Sequence, residues 1–391
     1  MPSLSGFRVA IGKAGGSAVD MKCAYIISIQ MLMAVMAWAK PPCDLPLQTL
    51  AQFESEPLLS VDYQGNFAVA VPRGGNTPAV IALKTGPVST QVNPAPIVAI
   101  ANSPTQIALS DWNGNIEVSS LNGQPPYQIT PYQRITEQLS YSPSGNFLLA
   151  VEPGFATLHR ASDGQTLRML PGTGVMTAAF SPTTNHVATI GSDGKSKLWG
   201  MYDLRDSFYP KVPSSVMLDK GGPSLTAMSF APKEPLFATG NLAGGVHVWD
   251  LKSKKLLAEG QSSPSPITAL NFSNDGSRLL STNQAGLGQV WNTGTGGSPI
   301  VIPAEAHGAM TAGFLIRNGQ YALTAHQDGQ VGIWELDSPV GGRRHAKLLY
   351  QYTGHNGPVV DLKMLPDSEF LTIGADGKVK KGTIPRIPLA R

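Results

Sequence analysis

Seven histidines, two cysteines and a set of Asp-Gly pairs are the residues of this 391-residue chain that chemistry would have to use. His159, His186, His247, His307, His326, His345 and His355 are strung along the chain singly, not paired at metal-ligand spacing. Zinc sites of the cysteine type need several cysteines, and a covalently held haem needs C-x-x-C-H; Cys23 and Cys43 supply neither. There is no G-x-S-x-G nucleophile elbow and no Gly-Lys-Ser/Thr phosphate cradle. Asp193-Gly194, Asp328-Gly329 and Asp376-Gly377 recur at one slot of a repeated pattern, so their repetition points to a turn. No catalytic residue, no cofactor and no metal site is expected.

The pattern that holds those residues is a repeat. TAAFSPTTNHVATIGSDGKSKLW (Thr177 to Trp199) is echoed at Leu225 to Asp250, Ile267 to Asn292 and Met310 to Glu335. Each copy alternates apolar and polar residues, turns, alternates again, turns at glycine, and ends a third run in Trp. Alternation of period two predicts strands, and a period of about 40 residues predicts stacked units. Eight copies can be aligned on the residue that ends the first strand: Tyr63, Asn102, Tyr141, Phe180, Phe230, Phe272, Phe314 and Met364. The copies lie near 58–86, 97–123, 136–164, 175–205, 225–256, 267–296, 309–339 and 359–384. A unit of this length cannot bury its own faces, so the copies must stack and the array must close. The expected fold is all-β, a single closed propeller of eight blades with four antiparallel strands each, seven blades being the alternative.

Trp199, Trp249, Trp291 and Trp334 close third strands, Trp249-Asp250 is a literal WD dipeptide, and Gly354-His355 leads into the eighth copy. On these residues the chain resembles the WD-repeat (WD40) β-propeller family over roughly residues 47–385, as a bacterial-type exported member. Copies one to three lack the Trp, with His159 in its place in copy three. The resemblance implies that histidines of this kind hydrogen-bond within a blade. It also implies that an N-terminal strand, here Leu47 to Phe53, completes the last blade beside residues 359–384.

Residues 1–39 read as an N-terminal extension plus signal peptide. Ala24 to Trp38 is an uncharged, mostly apolar run behind Lys22, and Ala37-Trp38-Ala39 has the small-x-small form of a cleavage site. The run is short of the about 20 apolar residues a spanning helix needs. The mature chain is expected to start near Lys40 and to be periplasmic, with secretion or an uncleaved anchor as alternatives. It is not expected to insert stably in a membrane. Met21 begins a conventional signal, so residues 1–20 are read as an overextended start. Residues 1–39 carry Arg8, Lys13, Lys22 and Asp20, so their removal takes the formal charge from +3 to +1. A nearly neutral chain gives no electrostatic case for nucleic acid.

Function is then expected in the loops. Two third-to-fourth-strand connections are long, and they fall on the same face. Phe208 and Tyr209 lie between Arg205 and Lys211 in the first, and Arg343, Arg344 and His345 lie in the second. Aromatics beside arginine are the composition of interaction hot spots, so these seven residues are the candidate partner-binding set. Ser215 to Leu218 and Ala346 to Tyr352 should be the outer strands. The positions at the start of the inner strands (Pro57, Pro96, Gly174, Ser224, Pro266, Gly308, Pro358) are small and uncharged, which disfavours chemistry in the channel. The expected function is a non-catalytic, exported, protein-binding scaffold or subunit of a larger assembly. The alternative is a propeller enzyme, or an accessory protein binding a small ligand or glycan at the channel mouth.

Overall fold

Each alternating run becomes a strand, and the strands close into a ring of eight antiparallel blades in the computed structural model. The structure describes residues 43–387, apart from 62–66, 73–74, 76–77, 84–85, 91–95, 131–133, 202–214, 295–297, 304–307 and 341–342. Blade 1 starts at Pro57–Val61, blade 2 at Ile97–Asn102, blade 3 at Gln138–Tyr141 and blade 4 at Val175–Phe180. The remaining inner strands are Leu225–Phe230, Ile267–Phe272, Met310–Ile316 and Val359–Met364, for blades 5 to 8. Every blade then runs outward by successive antiparallel neighbours.

The core sits between blades rather than within them. Eight apolar clusters occupy the eight successive interfaces, including one that joins Leu371 and Val379 of blade 8 to Ala68, Ala70 and Ile81 of blade 1. That last cluster closes the ring. Trp199, Trp291 and Trp334 are buried in these clusters, as packing residues. Their indole N–H groups donate to Thr189, Ser281 and Thr324 at 2.9, 2.8 and 2.7 Å.

The N-terminal segment stitches two blades. Gln48–Gln52 is the outer strand of blade 8, antiparallel to Lys378–Thr383, where the resemblance placed Leu47 to Phe53. Cys43–Pro46, which sequence reading left unassigned, pairs in parallel with the outer strand of blade 7, Cys43 opposite Tyr350 and Pro46 opposite Thr353. Leu45 is buried there with Tyr352. The seam depends on one glycine. Gly377 has φ +75°, its carbonyl accepts the Phe53 N–H at 2.8 Å, and a Cβ on it would collide with the Phe53 carbonyl. Glycine is therefore required there for close approach as well as for left-handed backbone.

The second long connection differs from the expected loop. Val331–Val340 and Arg343–Thr353 form one extended hairpin, with Ser338 opposite His345, Pro339 opposite Arg344 and Val340 opposite Arg343. Arg343, Arg344 and His345 are thus strand residues, and the outer strand is longer than Ala346 to Tyr352. The reason is local: Gly341-Gly342 between two runs that can pair is a hairpin signal, and pairing continues to it. In blade 4 the outer strand is Ser215–Lys220, slightly longer than Ser215 to Leu218.

Candidate functional site

Most polar groups of the repeats are used inside the ring. His355 joins Thr372 (Nε2, 2.8 Å) and Asp376 (Nδ1, 2.9 Å) across blade 8, and burial lowers its pKa. His326 contacts Thr324 at 2.8 Å, and His186 contacts Thr184 at 2.9 Å. His159 lies fully buried between Thr157 and Thr166, at 2.9 and 3.1 Å, and burial pushes it down to about 4. It is a neutral packing residue at physiological pH.

His247 departs from the within-blade expectation. Its Nδ1 meets Asp219 Oδ1 at 2.6 Å, and Asp219 belongs to the outer strand of blade 4. Asp219 is buried and also accepts the hydroxyls of Ser196 (2.6 Å) and Thr239 (3.0 Å), so one carboxylate ties blade 4 to blade 5. The hydrogen bond to Asp219 raises the His247 pKa. Sequence reading passed over Asp219 because it lies at the end of a long linker.

One buried carboxyl has no such partners. Glu152 ends the second strand of blade 3, is 1% exposed, and neither carboxyl oxygen finds a hydrogen bond among the described residues. At the corresponding position of blade 2, Asp111 accepts the amides of Asn113 and Asn115. Blade 3 turns more tightly, with Glu152 directly opposite Phe155, so no longer turn is left to present such amides to it. Burial pushes Glu152 up to about 7, and Arg134 only partly opposes this. Between pH 4.5 and 7 the unfolded chain releases this proton before the folded one does, so stability must fall as pH rises through that window. We expect Glu152→Gln to remove this slope and to be more stable than the parent by about 1–3 kcal/mol above pH 7. Parallel melting curves from pH 4 to 8 for the two proteins would refute it.

Two cavities mark the two ends of the channel. The first, of about 320 Å³, is lined by the starts of the inner strands of blades 8, 1, 2 and 3. Its charged lining is Glu56, Glu137 and Asp361, with Asp361 held by Lys363 at 2.9 Å. This corrects the expectation of a small, uncharged channel. Pro57 does line it, but so do Glu56 just before it and Asp361 three residues beyond Pro358, and Glu137 comes from blade 3, which the ring of proline and glycine positions did not include. Among the described residues no group of three or more His, Cys, Asp or Glu is placed to hold a metal ion.

The second cavity, of about 590 Å³, lies where the inner strands of blades 5 to 8 end. Its floor is Phe230, Phe272, Phe314 and Met364, with Leu365 and Ile384 beside them. Sequence reading took those four as anchors packed between blades, yet Phe230, Phe314 and Met364 are only half-buried. The apolar column was legible; that its last member faces the channel as well as packing between blades was not. Asn271, Asn274, Ser368 and Arg317 form the rim. In an antiparallel blade the end of the inner strand and the third-to-fourth connection share one face. The basin therefore opens on the face that carries the blade 7 hairpin. Of the candidate partner residues, Arg343, Arg344 and His345 stand on that hairpin. Arg205, Phe208, Tyr209 and Lys211 lie outside the described residues.

Comparison with known proteins agrees with this architecture. Residues 164–200 and 346–381 match the model of the WD domain, G-beta repeat (WD40). Each match begins at or just before the outer strand of one blade and ends in the third strand of the next. Over these two segments the repeat of that model is offset by one strand against the blades, in keeping with a last blade that takes its outer strand from the N-terminus. Telomerase protein component 1 of Rattus norvegicus is 28% identical over 199 residues, 51% of this chain and 7% of that protein. The chain spans under a quarter of the length of several such curated relatives. Sqt1 from Chaetomium thermophilum has the same fold, with TM-score 0.69 at 15% identity over 87% of this chain and 100% of the other. A second structure, Sqt1 bound to the N-terminus of ribosomal protein L10, gives TM-score 0.67 at 16% identity over 86% and 100%. These relatives are eukaryotic, so a bacterial-type exported origin draws no support from them.

Proposed function

We propose that this WD40-repeat ring is a non-catalytic scaffold that binds proteins, as a subunit of a larger assembly. One observation carries the reading: the repeats' histidines are engaged in hydrogen bonds within a blade or, for His247 with buried Asp219, between two blades, while an open apolar basin of about 590 Å³ lies beside an extended hairpin on one face. Groups already engaged in holding a fold together are poor candidates for acid–base work, and exposed apolar concavities are the usual marks of recognition. The Sqt1 complex supports the class of partner, since a ring of the same fold there holds a protein segment. The partner face includes Arg205, Phe208, Tyr209, Lys211, Arg343, Arg344 and His345. In the quadruple variant Phe208→Ala, Tyr209→Ala, Arg343→Ala, Arg344→Ala, affinity for a co-purified protein partner is expected to fall by about 1–4 kcal/mol with melting unchanged. Wild-type affinity in that variant would remove these residues from the interface. A protein that co-purifies with no partner at all but turns over a small molecule would sink the scaffold reading.

Export is part of the proposal and rests on the N-terminal sequence. Cleavage after Ala39 would leave both N-terminal strands, Cys43–Pro46 and Gln48–Gln52, in the mature chain. Among the described residues no helix is long and apolar enough to cross a membrane. Purified native protein is expected to begin at Lys40 and to run about 4 kDa below the unprocessed chain. An N-terminus at Met1 or Met21 in the soluble pool would overturn the assignment.

A further inference from the structure

We propose that the basin between blades 5 and 8 seats an extended partner segment that presents one bulky apolar side chain with a carboxylate beside it. The proposal rests on the scaffold reading and adds the place and the chemistry of the contact. The floor is apolar, and its volume lies within the range of sites that enclose a ligand group. Around it, exposed Asn274 and Ser368 offer a side-chain amide and a hydroxyl, groups that pair with an extended backbone, while the Asn271 amide already donates to the Gly313 carbonyl at 2.8 Å.

Charge fixes the rest. Arg317 is the one charged residue among the described residues that line the basin. It is exposed, its guanidinium lies 5.8 Å from the centre of the Tyr321 ring, and one N–H donates to the Ile387 carbonyl at 2.5 Å. Those contacts orient a planar fork with five donors, which is the geometry that recognises a carboxylate. A basic residue brought to the same rim would meet like charge. The backbone marks the same place. Arg317 and Asn318 in blade 7, and Asp367 and Ser368 in blade 8, all have φ between 49° and 61°. Only one other non-glycine residue among those described, Lys254, has positive φ. Each of these two neighbouring turns thus gives the basin one lining residue, Arg317 and Ser368, while Asn318 and Asp367 lie outside its lining. In blades 3 and 6 the same turn places Gly145 and Gly276 in that conformation, with φ of 73° and 70°. Ordinary side chains held there are the sort of local strain that gathers at recognition sites.

The test uses the full chain with its methionine methyls labelled with carbon-13, so that Met364 on the floor reports occupancy. The probes are three otherwise identical Ser/Gly-rich peptides whose centres read Trp-Glu, Trp-Lys and Ala-Glu. The Trp-Glu peptide is expected to shift Met364 saturably, with affinity at least about tenfold above Trp-Lys, and Ala-Glu to leave it unmoved. Arg317→Glu is expected to reverse the Glu-over-Lys preference, a result that damage to the fold would not give. Asn274→Trp, at an exposed rim position, is expected to abolish the shift while melting stays unchanged. No saturable shift up to millimolar peptide, or a preference indifferent to Arg317→Glu, would overturn the proposal. So would peptide binding that appears only after residues 388–391 are removed, because the occupant would then be the chain's own terminus. A native partner whose binding is unaffected by Arg317→Glu and Asn274→Trp would end the basin assignment and leave the scaffold reading standing. Peptide binding as expected, in a protein that captures no protein partner, would separate the two in the other direction.

Discussion

Removing residues 40–53 is expected to turn a soluble ring into an aggregating one. The deletion takes the whole outer strand of blade 8 and the parallel strand that covers the outer edge of blade 7. Two neighbouring blades then present unpaired N–H and C=O rows, which template edge-to-edge association. Leu45, Leu47, Leu50, Ala51 and Phe53 also leave the clusters at the 7–8 and 8–1 interfaces. Their apolar contacts are together worth several kcal/mol, on the order of half a domain's net stability. Size-exclusion chromatography and thermal melting read the outcome, and a monomer with unchanged melting would show that neither strand closes the ring. Two point variants divide the effect. Leu45→Ala empties a buried site at the parallel strand and should cost about 2–4 kcal/mol. Gly377→Ala strikes the blade 8 seam alone, through left-handed backbone and the Phe53 carbonyl.

The sequence announced the inner architecture well because period-two alternation and Asp-Gly or Asn-Gly turns are local signals. Strand positions, the packing role of Trp199, Trp291 and Trp334, and the stacking of eight units all follow from them. What lay outside reach is long-range. Cys43–Pro46 is too short to announce a strand, and its partner lies some 300 residues away along the chain. Glu56 and Glu137 stand one residue before their inner strands, where a pattern of alternation has not yet begun. Phe230, Phe272, Phe314 and Met364 read as core in any single copy. They become a basin only when four blades are placed side by side. The histidines were legible as structural, but the choice of partner across a blade boundary, His247 with Asp219, needed the register of Ser215–Lys220 against the next blade.

Breaking that junction is expected to be the largest effect of a single side chain in the ring. Asp219 accepts from Ser196, Thr239 and His247 at once, and no other group among those described replaces it at their shared centre. The arrangement has a visible cost in blade 5. Thr189 and Thr324 each satisfy a tryptophan N–H ten residues on, whereas Thr239 turns its hydroxyl to Asp219 and the Trp249 indole N–H has no partner. Asp219→Asn keeps the shape but meets several donors with one acceptor oxygen and a donating amide. It should cost about 3–5 kcal/mol, the range for removing one partner of a buried charged network. The sign with pH follows from His247. Its pKa in the folded chain is raised, mainly by the hydrogen bond to Asp219, so the pair's contribution is complete below about pH 6.5 and is lost as pH rises through the raised value. Asp219→Asn should therefore lower melting most at pH 6 and progressively less toward pH 8. Glu152 imposes a decline of the same sign at lower pH, between about 4.5 and 7, so the measurement belongs in a Glu152→Gln background. A difference in melting between Asp and Asn at position 219 that stays constant from pH 6 to 8 would mean that His247 does not titrate against Asp219 in that range, and the pH linkage would fail.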